Sequence, residues 1–349
     1  MNFPKVLTDE HIRAAHEVYQ DLSKQHEISI ALVSGSLAFG LGHGTSDVDF
    51  YVRTVGDTPL EDRVHLRRGY AVQINPITDE KLAKAIEWAG DDSEFTSTNR
   101  RMLEVQDDVR KFAIRLTRGH VVHTDDEGRG LLDQLSVDVI RRRVIARQAR
   151  DTGIHLEDAT GALAAGDHDT AYWATRIALT HAIEAALAAS DDLYVGRKFL
   201  LRRLKRVKAL SDVQPQLLGA LDVPWADAPA GLEESEEAER FGAAIQERTR
   251  LAAYVASAAV LDGWNESMSA LAPPRTGTVG PIRDPFHCLM RFGDGIALTG
   301  PDKGFRVGEE AARLWFSLDG SRSLDDIGEL GSSMRDGVAK LVEIGAAQR

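Results

Sequence analysis

Two aspartates two residues apart, Asp47 and Asp49, follow a glycine-rich stretch that opens with Gly35-Ser36 and continues through Gly40, Gly42 and Gly44. On an extended strand a spacing of two sends both carboxylates to one face, about 6–7 Å apart along the chain. Carboxylates are the hard oxygen donors that Mg²⁺ takes while keeping several waters, so no histidine, His43 included, is required as a ligand. Glycines let backbone N–H groups approach a phosphate closely, and a helix that begins at such a turn adds its positive end. The chemistry suggested is phosphoryl transfer. That reaction needs the attacking oxygen and the leaving group held in line with their negative charge neutralised, and little covalent help.

The elements around these residues are built to present them. Ile28 to Val33 is a β-rich run that ends at Ser34-Gly35-Ser36, and Val48, Phe50 and Val52 alternate with Asp47, Asp49 and Tyr51, which gives a second strand with two distinct faces. A third strand is expected over Ala71 to Ile77, ending near Pro76, and Thr78 is placed to cap a helix running through Trp88. Upstream, Thr8 precedes the helical pattern Ile12, Ala15, Val18, Leu22. Residues 1–133 thus read as a small α/β unit.

Gly35-Ser36, ten residues, then Asp47-Val48-Asp49-Phe50 resembles the signature of the polymerase β nucleotidyltransferase superfamily, which includes antibiotic-modifying, antitoxin-type and CCA-adding enzymes. The resemblance implies an α+β fold with a mixed-sheet catalytic domain. It also implies two Mg²⁺ ions on Asp47 and Asp49, an NTP, ATP by preference, held at Gly35 and Ser36, and transfer of its nucleoside monophosphate to an acceptor hydroxyl. Members carry a third carboxylate on the next strand, where this chain has Gln73, a poorer ligand that cannot act as a base. Glu104, Asp107 and Asp108 are the carboxylates that could stand in. In the antibiotic-type enzymes a tyrosine-to-lysine segment of a helical domain faces the triphosphate. Tyr194 to Leu200 is similar, and by that likeness Lys198, with Arg197, would neutralise the phosphates. The bland alternative for the cluster from Arg197 to Lys208 is a solvated basic helix face, and Arg141-Arg142-Arg143 reads as surface.

Residues 134–272 are rich in Ala, Leu, Arg and Glu with apolar positions every three or four, the pattern of an antiparallel helical bundle; Asp169 is a plausible cap for a helix from Thr170 to Ala189. The Pro/Gly-rich stretch within 273–285 breaks every period and reads as a linker. Residues 286–349 carry their own core pattern: strands near Cys288–Phe292 and Ile296–Leu298, then three helices, with Asp319-Gly320 closing the first. This module resembles the small winged-helix peptide-binding domain of pyrroloquinoline quinone biosynthesis, which implies a leader peptide or carrier protein added as an edge strand. Its eight Lys and Arg against ten Asp and Glu argue against DNA.

The 349 residues suit two or three domains, and a net charge of −12 argues against coating nucleic acid. No apolar run reaches a membrane span, no secretory signal is evident, and a cytoplasmic protein is expected. The lone Cys288 reads as a buried small residue, and the tryptophans Trp173, Trp225 and Trp315 are assigned no ligand, with core packing expected at Trp173 and Trp315. The leading reading is an Mg-dependent transfer of a nucleoside monophosphate to a small-molecule or peptide acceptor in a specialised-metabolite or peptide-modification pathway. The rivals are a noncatalytic, degenerate scaffold and a toxin-like enzyme acting on tRNA, which predicts steeply salt-dependent tRNA binding.

Overall fold

The strand Ile28–Ser34 (β1) is buried at every position, because it lies inside a sheet covered on both faces. The computed structural model describes residues 7–56, 60–61, 63–93, 95–99, 101–194, 196–222, 234–301, 303–329 and 332–348. Its chain divides into two units: Met1–Glu94 with Glu104–Ile140 and Leu193–Arg206, and Phe95–Leu103 with Arg141–Asp192 and Val207–Arg349. The fold class is α+β.

The first unit opens with helix α1 (Asp9–Leu22), whose Thr8 cap and His11 side chain form a reciprocal capping box. After β1 come a single helical turn, α2 (Gly35–Ala38), and the strands β2 (Val48–Thr54), β3 (Arg63–Arg67) and β4 (Tyr70–Pro76). Helix α3 (Asp79–Ala89) starts where Thr78 accepts the Lys81 N–H, the cap expected for a helix running through Trp88. Helix α4 (Asp107–Arg118), strand β5 (His120–Thr124) and helix α5 (Asp126–Leu132) follow. The sheet order is β3-β4-β2-β1-β5, with β2 and β4 parallel and the other pairs antiparallel.

The alternation in β2 sorts the two faces. Val48, Phe50 and Val52 join Val72 and Ile74 of β4 under Ala14, Ala15 and Val18 of α1, a core in which each fully buried large apolar side chain contributes roughly 1.5–3 kcal/mol. Asp49 and Tyr51 therefore face the other way, toward α4, where Tyr51 meets Phe112 at 6.2 Å.

The second unit is helical with a small sheet. Helix α6 (Val137–Ala164), whose first turn lies in the first unit, leads to α7 (His168–Ala189), which packs along α10 (Glu234–Asp262); the shorter α8 (Leu200–Arg206) belongs to the first unit and α9 (Gln214–Leu221) to the second. The cap of α7 is Asp167, which accepts the Thr170 N–H, so the helix begins before the expected Asp169. Arg141 and Arg143, expected on the surface, are buried: Arg141 pairs with Asp191 at 3.0 Å and Arg143 lies over the Phe95 ring. Trp173, expected in the core, is instead 46% exposed beneath the Arg176 guanidinium. Trp315 is buried and donates its indole N–H to the Ala346 carbonyl at 2.8 Å. Trp225 lies outside the described residues.

Strands β6 (Ile282–Arg283), β7 (Cys288–Phe292), β8 (Gly295–Thr299) and β9 (Gly304–Val307), helices α11 (Glu309–Ser317), α12 (Leu324–Glu329) and α13 (Ser332–Glu343), and strand β10 (Ala347–Gln348) complete the chain. The stretch read as a linker is tied down within this unit. Gly277 N–H donates to Asp319 O at 2.7 Å, Val279 N–H to Gly320 O at 2.9 Å, and β6 pairs with β10. Cys288 is buried, and burial pushes its thiol up to about 11. No described helix is long and apolar enough to cross a membrane.

Candidate functional site

Asp47 stands one residue before β2 and Asp49 on its second position, with β1 ending beside them: Ser34 is the register partner of Asp49. The turn from β1 into α2 can be made only by glycine. Gly35 has φ +74°, and a Cβ there would lie 1.8 Å from Asp49 Oδ2, so the bare backbone and the carboxylate occupy adjoining space. Ser36 follows in the same turn, and its carbonyl accepts from Leu41 N at 2.8 Å and Gly42 N at 2.9 Å, which folds the glycine loop back over it. Because α2 has only four residues, it offers a phosphate the free N–H groups of a first turn rather than an extended helix dipole.

Asp49 is half-buried and Asp47 exposed, and neither carboxylate has a hydrogen bond or ion pair among the described residues. Burial holds the Asp49 carboxyl above the usual carboxylate range against the nearby Arg115 cation, and the charge of Asp47 pushes it the same way. A cation bound here would relieve both effects. No group of three or more His, Cys, Asp or Glu gathers for a metal among the described residues. Two carboxylates suffice for Mg²⁺ when substrate phosphates and waters complete its shell, so the residues present fit that ion.

Gln73 is the direct register partner of Asp49 across the parallel β2–β4 pair, so an amide does occupy the neighbouring position on the carboxylate face. Of the carboxylates considered as replacements, Asp107 is paired with Arg110, Glu104 is exposed, and Asp108 lines a cleft with Tyr51 and Arg115.

Arg115 was not legible as a site residue. It sits on α4, whose Arg115 carbonyl accepts the Ser34 hydroxyl at 2.9 Å, and its guanidinium donates to the Tyr51 hydroxyl. Burial pushes the Tyr51 phenol up to about 12. Arg115 thus brings a fixed cation to the face that carries Asp49, and nothing in the periodicity of Asp107–Arg118 marks that position.

The segment 193–206 belongs to the same unit as the aspartates. Arg197 and Lys198 lie exposed on a 3₁₀ turn, with the Lys198 amine 5.1 Å from the Phe199 ring. Arg202 and Arg206, one helical turn apart on α8, bind the glycine loop: Arg202 donates to Leu41 O at 2.7 Å and Gly42 O at 3.0 Å, and Arg206 to Phe39 O at 2.6 Å. Tyr194 packs edge-on to Phe39, and burial raises its phenol, with Arg115 and Asp49 both close enough to act on it. The i,i+4 spacing of Arg202 and Arg206 was the available signal for a shared target.

No family model matches the sequence, and no curated protein matches it. Among solved structures, a nucleotidyltransferase-like protein from Exiguobacterium sibiricum 255-15 is similar, with 11% identity and a TM-score of 0.37 over 72% of this chain and 78% of that one.

Proposed function

We propose that the first unit binds a nucleoside triphosphate with Mg²⁺ and transfers its nucleoside monophosphate to an acceptor hydroxyl. The observation that carries this reading is the pair of carboxylates, Asp47 and Asp49, without a partner among the described residues and set against a glycine turn that leaves room for nothing but backbone. In this reading Asp47 and Asp49 hold the metal, which supplies charge neutralisation for the phosphates when bound. The N–H groups of Gly35 and Ser36 hold the triphosphate, and Arg202 and Arg206 hold the loop that carries them. Arg115 fixes Tyr51 and keeps a positive charge on the face where the phosphates arrive. The acceptor oxygen forms a bond to the α-phosphorus as the bond from that phosphorus to the pyrophosphate oxygen breaks. The acceptor hydroxyl gives up its proton to water as this bond forms, because Gln73 has no basic atom to take it.

The position of Gln73 favours a second reading, a nucleotide-binding protein without turnover. Titrating the chain with each of the four NTPs, with and without Mg²⁺, separates these from a pure scaffold. Metal-dependent binding by one NTP, lost in Asp47→Asn/Asp49→Asn, supports the site and names the donor. Binding by none in any condition would sink both readings. Transfer assays on wild type and Gln73→Asp then decide between them: turnover that appears only in the variant assigns the chain to the noncatalytic class. By itself, the second unit has in β9 an edge strand of the β7-β8-β9 sheet, the kind of edge to which a leader peptide adds as a strand.

A further inference from the structure

A cleft of about 510 Å³ lies wholly within the first unit, between α3 and α4 on the carboxylate face of the sheet. Its size is that of small-molecule sites, roughly 300–1,000 Å³. Tyr51 and Asn75 line it, and they are register partners one pleat along from the Asp49–Gln73 pair, so the cleft begins about 6–7 Å from Asp49. Arg115 borders it as well as acting on Asp49.

The charge of this cleft runs against the rest of the chain. Lys81, Lys84, Lys111 and Arg115 line it with only Glu80 and Asp108 opposing them, in a protein of net charge −12. Lys84 is answered by Glu80 at 2.7 Å, and Arg115 gives one donor to Tyr51. The amines of Lys81 and Lys111 have no hydrogen bond or ion pair among the described residues. Two uncommitted amines and most of a guanidinium converging on one cavity are the complement of an oxyanion.

We infer that this cleft is a second binding site, distinct from the nucleotide's, which takes a small molecule carrying a phosphate or carboxylate group. Its place beside Asp49 makes that molecule the acceptor, and only this last step rests on the nucleotidyl-transfer reading. The anionic group is held at Lys81 and Lys111, which leaves the far end of the molecule directed along the sheet toward Asp49.

The test is calorimetric titration of the full chain with inorganic phosphate and, separately, with succinate. Wild type is compared with Lys81→Gln/Lys111→Gln and with Asp47→Asn/Asp49→Asn, and circular dichroism confirms the fold of each. One of the two anions is expected to bind wild type, at least fivefold more weakly in the lysine variant and within twofold of wild type in the aspartate variant. The anion that binds names the class of acceptor. Equal affinity in wild type and the lysine variant, or no binding by either anion, overturns the inference. So does an equal loss of Mg–NTP affinity in the lysine variant, because the lysines would then belong to the nucleotide site. Lysine-dependent anion binding with no NTP binding in any form would leave this site standing and remove the nucleotide reading instead.

Discussion

Arg248 in the second unit and Asp49 in the first are both charged groups withdrawn from water, and the fold treats them differently. Arg248 has no exposed surface. Its guanidinium donates to Ala220 O at 2.7 Å and the Tyr172 hydroxyl at 3.0 Å, and lies 4.1 Å from the Tyr172 ring centre. Asp49 is half-buried with no partner for its carboxylate among the described residues, and its one close neighbour of opposite sign, Arg115, is bonded to Tyr51. A charge left unpaired away from water destabilises a fold, so chains keep such groups where something outside the chain completes them. The contrast separates a charged group that serves packing from one that, under the proposed function, a bound cation would complete.

The largest effect expected from breaking this contrast is on stability in the second unit. Arg248→Met removes the hydrogen bonds that the guanidinium gives to the Ala220 carbonyl and the Tyr172 hydroxyl in a dry core, at about 3 kcal/mol in all. Thermal melting followed by circular dichroism should show a midpoint lower by roughly 6–12 °C for a unit of this size, with Mg–NTP affinity unchanged. Asp49→Asn should move the other way. A carboxyl whose folded pKa is raised binds its proton more tightly in the folded state, so stability falls as pH rises past the ordinary carboxylate value of 3.8. The asparagine removes that loss, and the variant without ligand should melt no lower than wild type at pH 7. A lower midpoint would mean that the carboxylate has a structural partner.

Next in size is Gly35→Ala. A left-handed backbone costs a residue with a Cβ about 1–2 kcal/mol, and the added carbon would have to displace the Asp49 carboxylate. Mg–NTP affinity should fall by about 100-fold or more, equivalent to about 2.7 kcal/mol, with the melting midpoint falling by only a few degrees. Unchanged affinity would show that neither the turn nor Asp49 touches the nucleotide.

What the sequence revealed follows the same division between packing and chemistry. β1, β2 and β4 were legible because burial on one or both faces writes apolar runs or strict alternation, and Thr78 marks the start of its helix. β3 and β5 were not, because they are edge strands that mix Arg and His with apolar residues and leave Val64, Leu66 and Val121 exposed, so no buried face writes an alternation. The hairpin between β3 and β4 turns through Arg68 and Gly69, both at positive φ, and Arg68 is tied to Glu10 and Glu17 of α1, a tertiary support that no local pattern displays. At the site, Gly35, Ser36, Asp47 and Asp49 are close in sequence and could be read as a group. Arg115, Arg202 and Arg206 are brought in from distant helices by packing. Arginine also misled in both directions: Arg141 and Arg143 looked like surface and are core, whereas the cluster after Arg197 looked like a solvated face or a phosphate clamp, and two of its members bind loop carbonyls.

The smallest predicted effect tests that last distinction. Arg202 donates to the carbonyls of Leu41 and Gly42, and a hydrogen bond from a charged group contributes roughly 1.5–3 kcal/mol. Part of that holds the glycine loop in its binding shape, and a loop that must order itself on binding loses affinity accordingly. Arg202→Gln should therefore weaken Mg–NTP binding about tenfold, equivalent to about 1.4 kcal/mol, and should weaken the diphosphate by the same factor, because the arginine acts on the loop and not on the γ-phosphate. Lys198→Gln is the opposite case. If its exposed amine meets the phosphates, its loss should grow from nucleoside diphosphate to triphosphate as the ligand's charge rises. Affinities of both variants for the two nucleotides place each residue: a ratio that stays constant assigns it to the loop, and one that widens with phosphate number assigns it to the ligand.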